Sequence, residues 1–266
     1  MSTASQDEWL WGWDPTPGIV SVWAEGDGTA TVWRRVDGGR TLVCERSRFR
    51  PWMLLDSLAD LEHLGRRLRL VDERREPASD EAGVVHYREL SGTGALRYLA
   101  SASRLTTLTS AVLDGAAQRT GTRVASVRDL GEDRVFVLPP DEQYLVSSGR
   151  TYFRDLSFDQ LHRLQFDLET TGLDPEHSRM FMVAVRTPSG ELMTLEAEND
   201  SRAAEGALIR RLLETIAKAD PDVIENHNLH GFDLPFLVVR ARVTGVPLVL
   251  GRTGRAGLLT RGAQRG

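Results

Sequence analysis

Asp167 and Glu169 stand one residue apart at the end of an apolar run, Leu164-Gln165-Phe166-Asp167-Leu168-Glu169-Thr170-Thr171-Gly172-Leu173-Asp174-Pro175. Gly172 and Pro175 mark a turn, so the run before them is predicted as a strand. Side chains alternate along a strand, so the two carboxylates project together while Phe166 and Leu168 face the other way. Adjacent carboxylates repel, and taking them out of water costs several kcal/mol per ion without a cationic partner. A divalent cation is the simplest partner, and hard oxygen ligands suit Mg²⁺ or Mn²⁺. The alternative is an edge strand whose exposed face happens to carry two acids.

A second chemical stretch is Glu225-Asn226-His227-Asn228-Leu229-His230-Gly231-Phe232-Asp233-Leu234-Pro235-Phe236-Leu237. Asp233 is expected to start a helix directly after a short strand, which lets a loop end carry it over the acids of the first strand. Otherwise it is a carboxylate complementing a helix dipole, worth about 0.3–1 kcal/mol. His227 and His230 could ligate a metal, but carboxylate-rich Mg²⁺ sites seldom use imidazole, so they read as incidental or as substrate contacts.

The string D-L-E-T-T-G at 167–172 resembles the first motif of 3′–5′ exonucleases with a ribonuclease-H-like fold. The pattern N-x-x-x-F-D-x-P-x-L from Asn228 resembles the second exonuclease motif of the family B DNA polymerases. Tyr144-Leu145 followed by Gly149, and Phe49-Arg50-Pro51-Trp52, resemble stretches of that family's earlier domain. The resemblance implies that Asp167, Glu169 and Asp233 are the catalytic and metal-binding acids, with Asp167 bridging two Mg²⁺ or Mn²⁺ ions about 3.5–4 Å apart. It implies that Asn228, Phe232 and Thr170 meet the substrate, a single-stranded DNA 3′ end or a primer-template, in DNA replication or repair.

The family pattern asks for one more acid, in Y-x-x-x-D or H-x-x-x-x-D on a later helix. From Leu234 to Gly266 there is no Asp, Glu or Tyr, and His162 stands before an Asp already used, Asp167. The expectation is therefore the N-terminal part of a family B polymerase, cut inside an exonuclease domain that lacks its last strand and helix. Such a chain would be weak or inactive by itself, with the second metal weakened most. Two other readings stay open. One is a non-catalytic nucleic-acid-binding module using Arg252, Arg255, Arg261 and Arg265. The other is a stand-alone 3′–5′ exonuclease, disfavoured by the three residues between Asn228 and Phe232.

These residues need an α/β frame. Strands are expected at 164–170, 180–186 and 191–197 as an antiparallel meander, then a helix at 203–219 with Leu208, Ile209, Leu212, Leu213 and Ile216 on one stripe. A short strand at 222–225 and a helix at 232–243, with Pro235 in its first turn, follow. By the family comparison this is the opening order of a ribonuclease-H-like exonuclease domain with a mixed sheet, assigned to 159–266. Residues 1–158 are read as an α+β, β-rich domain. Its strands are placed at 18–25, 29–36, 40–45 and 49–55 as one meander, with others at 84–89 and 134–138. Its helices are placed at 57–71, 95–101, 109–119 and the start of 141–153, and 72–82 is read as a loop. All six tryptophans lie in the first 52 residues and are read as core of that domain.

Composition narrows the class. Among 266 residues, 41% are hydrophobic and 27% charged, ordinary for a soluble globular protein. No apolar run approaches the ~20 residues of a membrane helix, and the N-terminus lacks the basic and apolar regions of a signal peptide. Cys44 is the only cysteine, which excludes an internal disulfide and a thiolate zinc cluster. A cytoplasmic protein of open oligomeric state follows. The net charge of −5 argues against nucleic-acid binding by bulk charge, though not against a local basic track.

Overall fold

Alternation of apolar and polar residues builds the strand that carries the acids. The computed structural model describes residues 13–71 and 81–258. The chain forms two units, Met1–Asp155 and Leu156–Gly266. In the second, the acid-bearing strand (Arg163–Thr170) buries Leu164, Phe166 and Leu168 and exposes Asp167 and Glu169.

The first unit holds two sheets. Strands β1 (Ile19–Ala24), β2 (Thr29–Val36) and β3 (Thr41–Arg48) form an antiparallel meander. The second sheet combines β4 (Trp52–Leu55), β5 (Leu68–Leu70), β6 (Val85–Glu89), β7 (Tyr98–Ser101) and β8 (Val135–Phe136) in the order β5-β6-β7-β4-β8. Helices α1 (Leu105–Thr120) and α2 (Pro140–Ser148) complete the unit.

Three expectations are corrected here. The fourth strand does not extend the meander: β4 pairs with β7 and β8 in the other sheet. Residues 57–71 form no α-helix. A short 3₁₀ segment, Glu62–Arg67, is broken at Gly65 (φ 52°, ψ −120°), a backbone conformation open to glycine. The chain then enters β5, so the leucine spacing was shared between two elements. Residues 98–101 are a strand because β7 lies between β4 and β6 and satisfies its backbone on both sides. Helix propensities differ by only about 0.7 kcal/mol per residue, too little to resist two ladders.

The tryptophan reading holds in part. Trp52 is buried, its backbone N–H donating to Gln143 Oε1 and its indole N–H to the Gln143 carbonyl. Trp23 and Trp33 are half-buried, and Trp13 is exposed beneath the Arg154 guanidinium. Trp9, Trp11, most of the loop at 72–82 and the tail arginines 261 and 265 lie outside the described residues.

In the second unit the acid-bearing strand is β9, followed by β10 (Met180–Arg186), β11 (Leu192–Glu196), α3 (Arg202–Ala219), β12 (Val223–Glu225) and α4 (Leu234–Thr244). The sheet order is β11-β10-β9-β12, with β12 alone parallel to its neighbour. The buried face of β9 packs with Val183 and Val185 of β10, Leu208, Ile209 and Leu212 of α3, and Phe236 and Leu237 of α4. Burying such side chains is worth about 1.5–3 kcal/mol each, which fixes β9 in a register that leaves both acids on the open face.

Candidate active site

Strand β12 pairs with β9 only as far as Glu225 opposite Gln165. Beyond that point β9 has lost its neighbour on one side, and its backbone N–H groups need other acceptors. The chain leaving β12 supplies one. Residues Leu229–Asp233 make a single wide π turn, the Asp233 N–H reaching back to the Asn228 carbonyl at 3.4 Å. Such wide turns recur at functional sites. This one sets Asp233 at the head of α4, 2% exposed, where its Oδ1 accepts the Leu168 N–H at 3.3 Å.

The side-chain amide of Asn226 joins the two acidic elements. Its Nδ2 donates to Asp167 Oδ1 at 3.0 Å and to Asp233 Oδ2 at 2.9 Å. Two oxygens bonded to one nitrogen stand no more than about 6 Å apart. Asn226 Oδ1 accepts the His227 N–H at 2.7 Å, so every polar group of this side chain is used. Carboxylates only accept hydrogen bonds, which requires the nitrogen end to face them.

Glu169 lies on the same open face as Asp167, opposite Met182 of β10. It is not drawn into the bridge. Among the described residues no three His, Cys, Asp or Glu side chains gather into a metal-binding group, so two of the three expected acids meet. The Thr170 hydroxyl donates to the Gly172 carbonyl at 2.9 Å and closes the turn after the strand. Phe232 packs at the edge of the core, its ring centroid 5.2 Å from that of Phe236. Asn228 is exposed, its side chain lying over Gly231, where an added Cβ would stand 2.3 Å from Oδ1. His227 and His230 are both exposed.

Sequence reasoning missed Asn226. The available signal was an amide in the loop joining the two acid-bearing elements. It also missed a buried clasp behind the site. Glu205 of α3 and Arg240 of α4 pair through Nε–Oε1 at 2.8 Å and Nη2–Oε2 at 2.6 Å. Glu205 Oε1 also accepts the Met180 N–H, and Arg240 Nη1 donates to the Pro175 carbonyl at 3.0 Å. The clasp thus ties the turn after the acids to both helices. The carboxylate beside it holds the Arg240 guanidinium above its ordinary pKa. Arg252, expected among phosphate-contacting tail residues, is instead paired with Asp220 and Asp222 and largely covered.

Comparison with known proteins decides the family. The profile of the DNA polymerase family B exonuclease domain matches residues 162–260, which include all six expected site residues. Residues 162–260 are a family B DNA polymerase exonuclease region. DNA polymerase 2 of Aeropyrum pernix is 32% identical over 139 residues, covering 48% of this chain and 16% of that protein. A DNA polymerase of Pyrococcus glycovorans is 31% identical over 125 residues, covering 44% and 16%. This chain therefore spans about a sixth of the length of these relatives. The solved structure of the family B DNA polymerase from Pyrobaculum calidifontis shares the fold, with a TM-score of 0.55 and 22% identity over 92% of this chain and 34% of that one. The fold expected of the exonuclease region, a mixed α/β sheet, following a β-rich α+β part in the sequence, is the one observed.

The donor set the exonuclease region offers a hard cation is two carboxylates, short of a three-ligand group among the described residues. Asp233 is a buried carboxylate whose hydrogen-bond donors are the Leu168 N–H and the Asn226 amide. Asp167 brings a second carboxylate to the same amide, leaving lone pairs on both available to a cation.

Proposed function

We propose that this chain hydrolyses the 3′-terminal phosphodiester of single-stranded DNA, releasing nucleoside monophosphates, with a divalent cation held by Asp167 and Asp233. Glu169 completes or orients the set from the same strand face. The observation that carries this reading is the Asn226 amide joining Asp167 and Asp233 from two separate elements. The similarity to DNA polymerases supplies the substrate class, and a cytoplasmic setting, expected from the N-terminus and the single cysteine, is part of the proposal.

A bound Mg²⁺ or Mn²⁺ supplies an activated water and stabilises the leaving 3′ oxygen. Asp167 and Asp233 bind it. Asn228, exposed at the start of the wide turn, offers an amide to the strand backbone. Thr170 holds the turn beside the acids, and Phe232 anchors the loop against the core. With three acids to hold the cation, Asp167, Glu169 and Asp233, the proposed activity is slow.

A 3′-labelled single-stranded oligonucleotide incubated with Mg²⁺ or Mn²⁺ tests the reading. The expected result is slow shortening from the 3′ end, abolished by chelator and by Asp167→Asn or Asp233→Asn. Salt-dependent binding without cleavage would overturn it. That outcome favours a non-catalytic nucleic-acid-binding module, a reading supported by the two-acid rather than three-acid gathering among the described residues.

A further inference from the structure

We infer that a polar groove beside the acids seats one nucleobase of the bound single strand, within about two nucleotides of its 3′ end. The inference deepens the exonuclease reading, from which it takes the single strand as ligand. The groove has a volume of about 190 Å³, and its walls include Phe158, Asp159, Arg163, Gln165, Arg186 and Glu225, all within the second unit. Its place follows from the sheet. Gln165 and Asp167 share the open face of β9, two residues and so about 7 Å apart. Glu225, the last residue of β12, adjoins Asn226, whose amide joins Asp167 to Asp233. Across the β9–β10 ladder Gln165 faces Arg186, whereas Asp167 faces Ala184, which carries only a methyl group. Strand β10 thus puts no bulky side chain between the groove and the acids.

The groove offers what a base needs. The Arg163 guanidinium lies 3.7 Å over the Phe158 ring, and its side chain is 30% exposed, so the stack has room for a further flat group. Guanidinium planes and aromatic rings are the surfaces on which unstacked bases rest. Arg163 Nη1 and Gln165 Nε2 both donate to Glu225 Oε1, at 2.8 Å each. Glu225 Oε2 and the Gln165 side-chain oxygen are left as acceptors with no hydrogen bond among the described residues. A base with an exocyclic amino group answers those acceptors, whereas thymine turns a carbonyl toward them. Arg186, exposed and without an ion pair among the described residues, supplies donors on the opposite wall. Arg163 and Arg186 balance Asp159 and Glu225, so the groove does not repel the strand as a face of acids alone would.

The full chain is tested in chelator, where binding is read without cleavage. Fluorescence anisotropy follows a 5′-labelled thymidine oligonucleotide carrying one cytosine, or one abasic site, at each of its last four positions in turn. Cytosine presents an amino group where thymine has a carbonyl. A hydrogen bond to a charged group is worth roughly tenfold in an equilibrium, and a stacked base at least about fivefold. One of the last three positions is therefore expected to bind about tenfold tighter with cytosine and at least about fivefold weaker without a base, the others changing little. Arg163→Gln should flatten that profile, and so should Phe158→Ala, at an exposed residue whose loss leaves the fold intact. A flat profile in wild type, no binding, or a profile unchanged in both variants would overturn the base groove. Cleavage of the same oligonucleotides with Mg²⁺ is then scored separately. Cleavage with a flat profile leaves the exonuclease reading standing without the groove, and a peaked profile without cleavage keeps the groove and removes the exonuclease reading.

Discussion

At the scale of single residues, the acids were legible and the amide between them was not. The period of two along β9 put Asp167 and Glu169 on one face, and Leu164, Phe166 and Leu168 in the core. No spacing rule says that Asp233 meets Asp167 through Asn226. That depends on where β12 stops and how the following turn widens. Gly231 shows the same dependence. A methyl group there would stand 2.3 Å from Asn228 Oδ1, so the Asn228 side chain as placed must shift to admit one. Gly231→Ala is expected to push the exposed Asn228 side chain aside at a small cost, under about 1 kcal/mol. Asn228→Ala removes the obstacle. The double variant should therefore cost less than the sum of the two single ones in denaturant titrations, and strict additivity would show that the two side chains do not interact.

At the scale of elements, helices with a long apolar stripe were readable, whereas short segments were decided by their partners. The stripe of α3 became a buried face because five apolar residues recur at helical spacing. The four residues of β7 and three of β5 were settled by the strands beside them, which a local pattern does not contain. Buried polar groups were hidden for the same reason. Glu205 and Arg240 look like surface charges on amphipathic helices, yet their side chains are 1% and 7% exposed. Arg240→Met leaves the Glu205 carboxylate buried without its cation and is expected to cost about 3–5 kcal/mol, whereas Glu205→Leu with Arg240→Met should cost far less. Hydrogen exchange at residues 174–180 should rise in the single variant, because Arg240 also holds the Pro175 carbonyl. His86 of β6 gives a second element-level test. Burial foremost, then the nearby Arg50 and Arg69, hold its imidazole below the ordinary value of 6.5, with Glu81 opposing. Its Nδ1 has no hydrogen-bond partner among the described residues. A folded-state pKa below the unfolded one means the unfolded chain takes up the proton first. The stability His86 contributes is thus present above pH 6.5 and lost as pH falls below it. Thermal midpoints should decline over that window, and the decline should flatten in His86→Gln.

At the scale of the whole molecule, the division into two units matters more than net charge. Each unit contains its own buried clusters, Leu108 lying fully buried in one and Leu212 in the other. The boundary falls in a stretch dense with exposed residues, including Phe153 at 40% and Phe158 at 62%. Asp155 there adopts a positive φ of 56°. Exposed backbone with little packing is where proteases cut first. Brief chymotrypsin treatment is expected to cleave after Phe158, beyond the backbone bonds that tie Phe153 to Ile19 and Arg154 to Gly18, before the units themselves are digested. Leu212→Ala should then destabilise the second unit by about 2–5 kcal/mol, the range for emptying a leucine site in a core. Its effect on hydrogen exchange should appear in β9, β10 and α3 before it appears around α1. Leu108→Ala should show the reverse order. If either substitution lowered protection equally in both units, the chain would unfold as one cooperative block. The exonuclease region could then not be treated as a body whose stability is set by its own core.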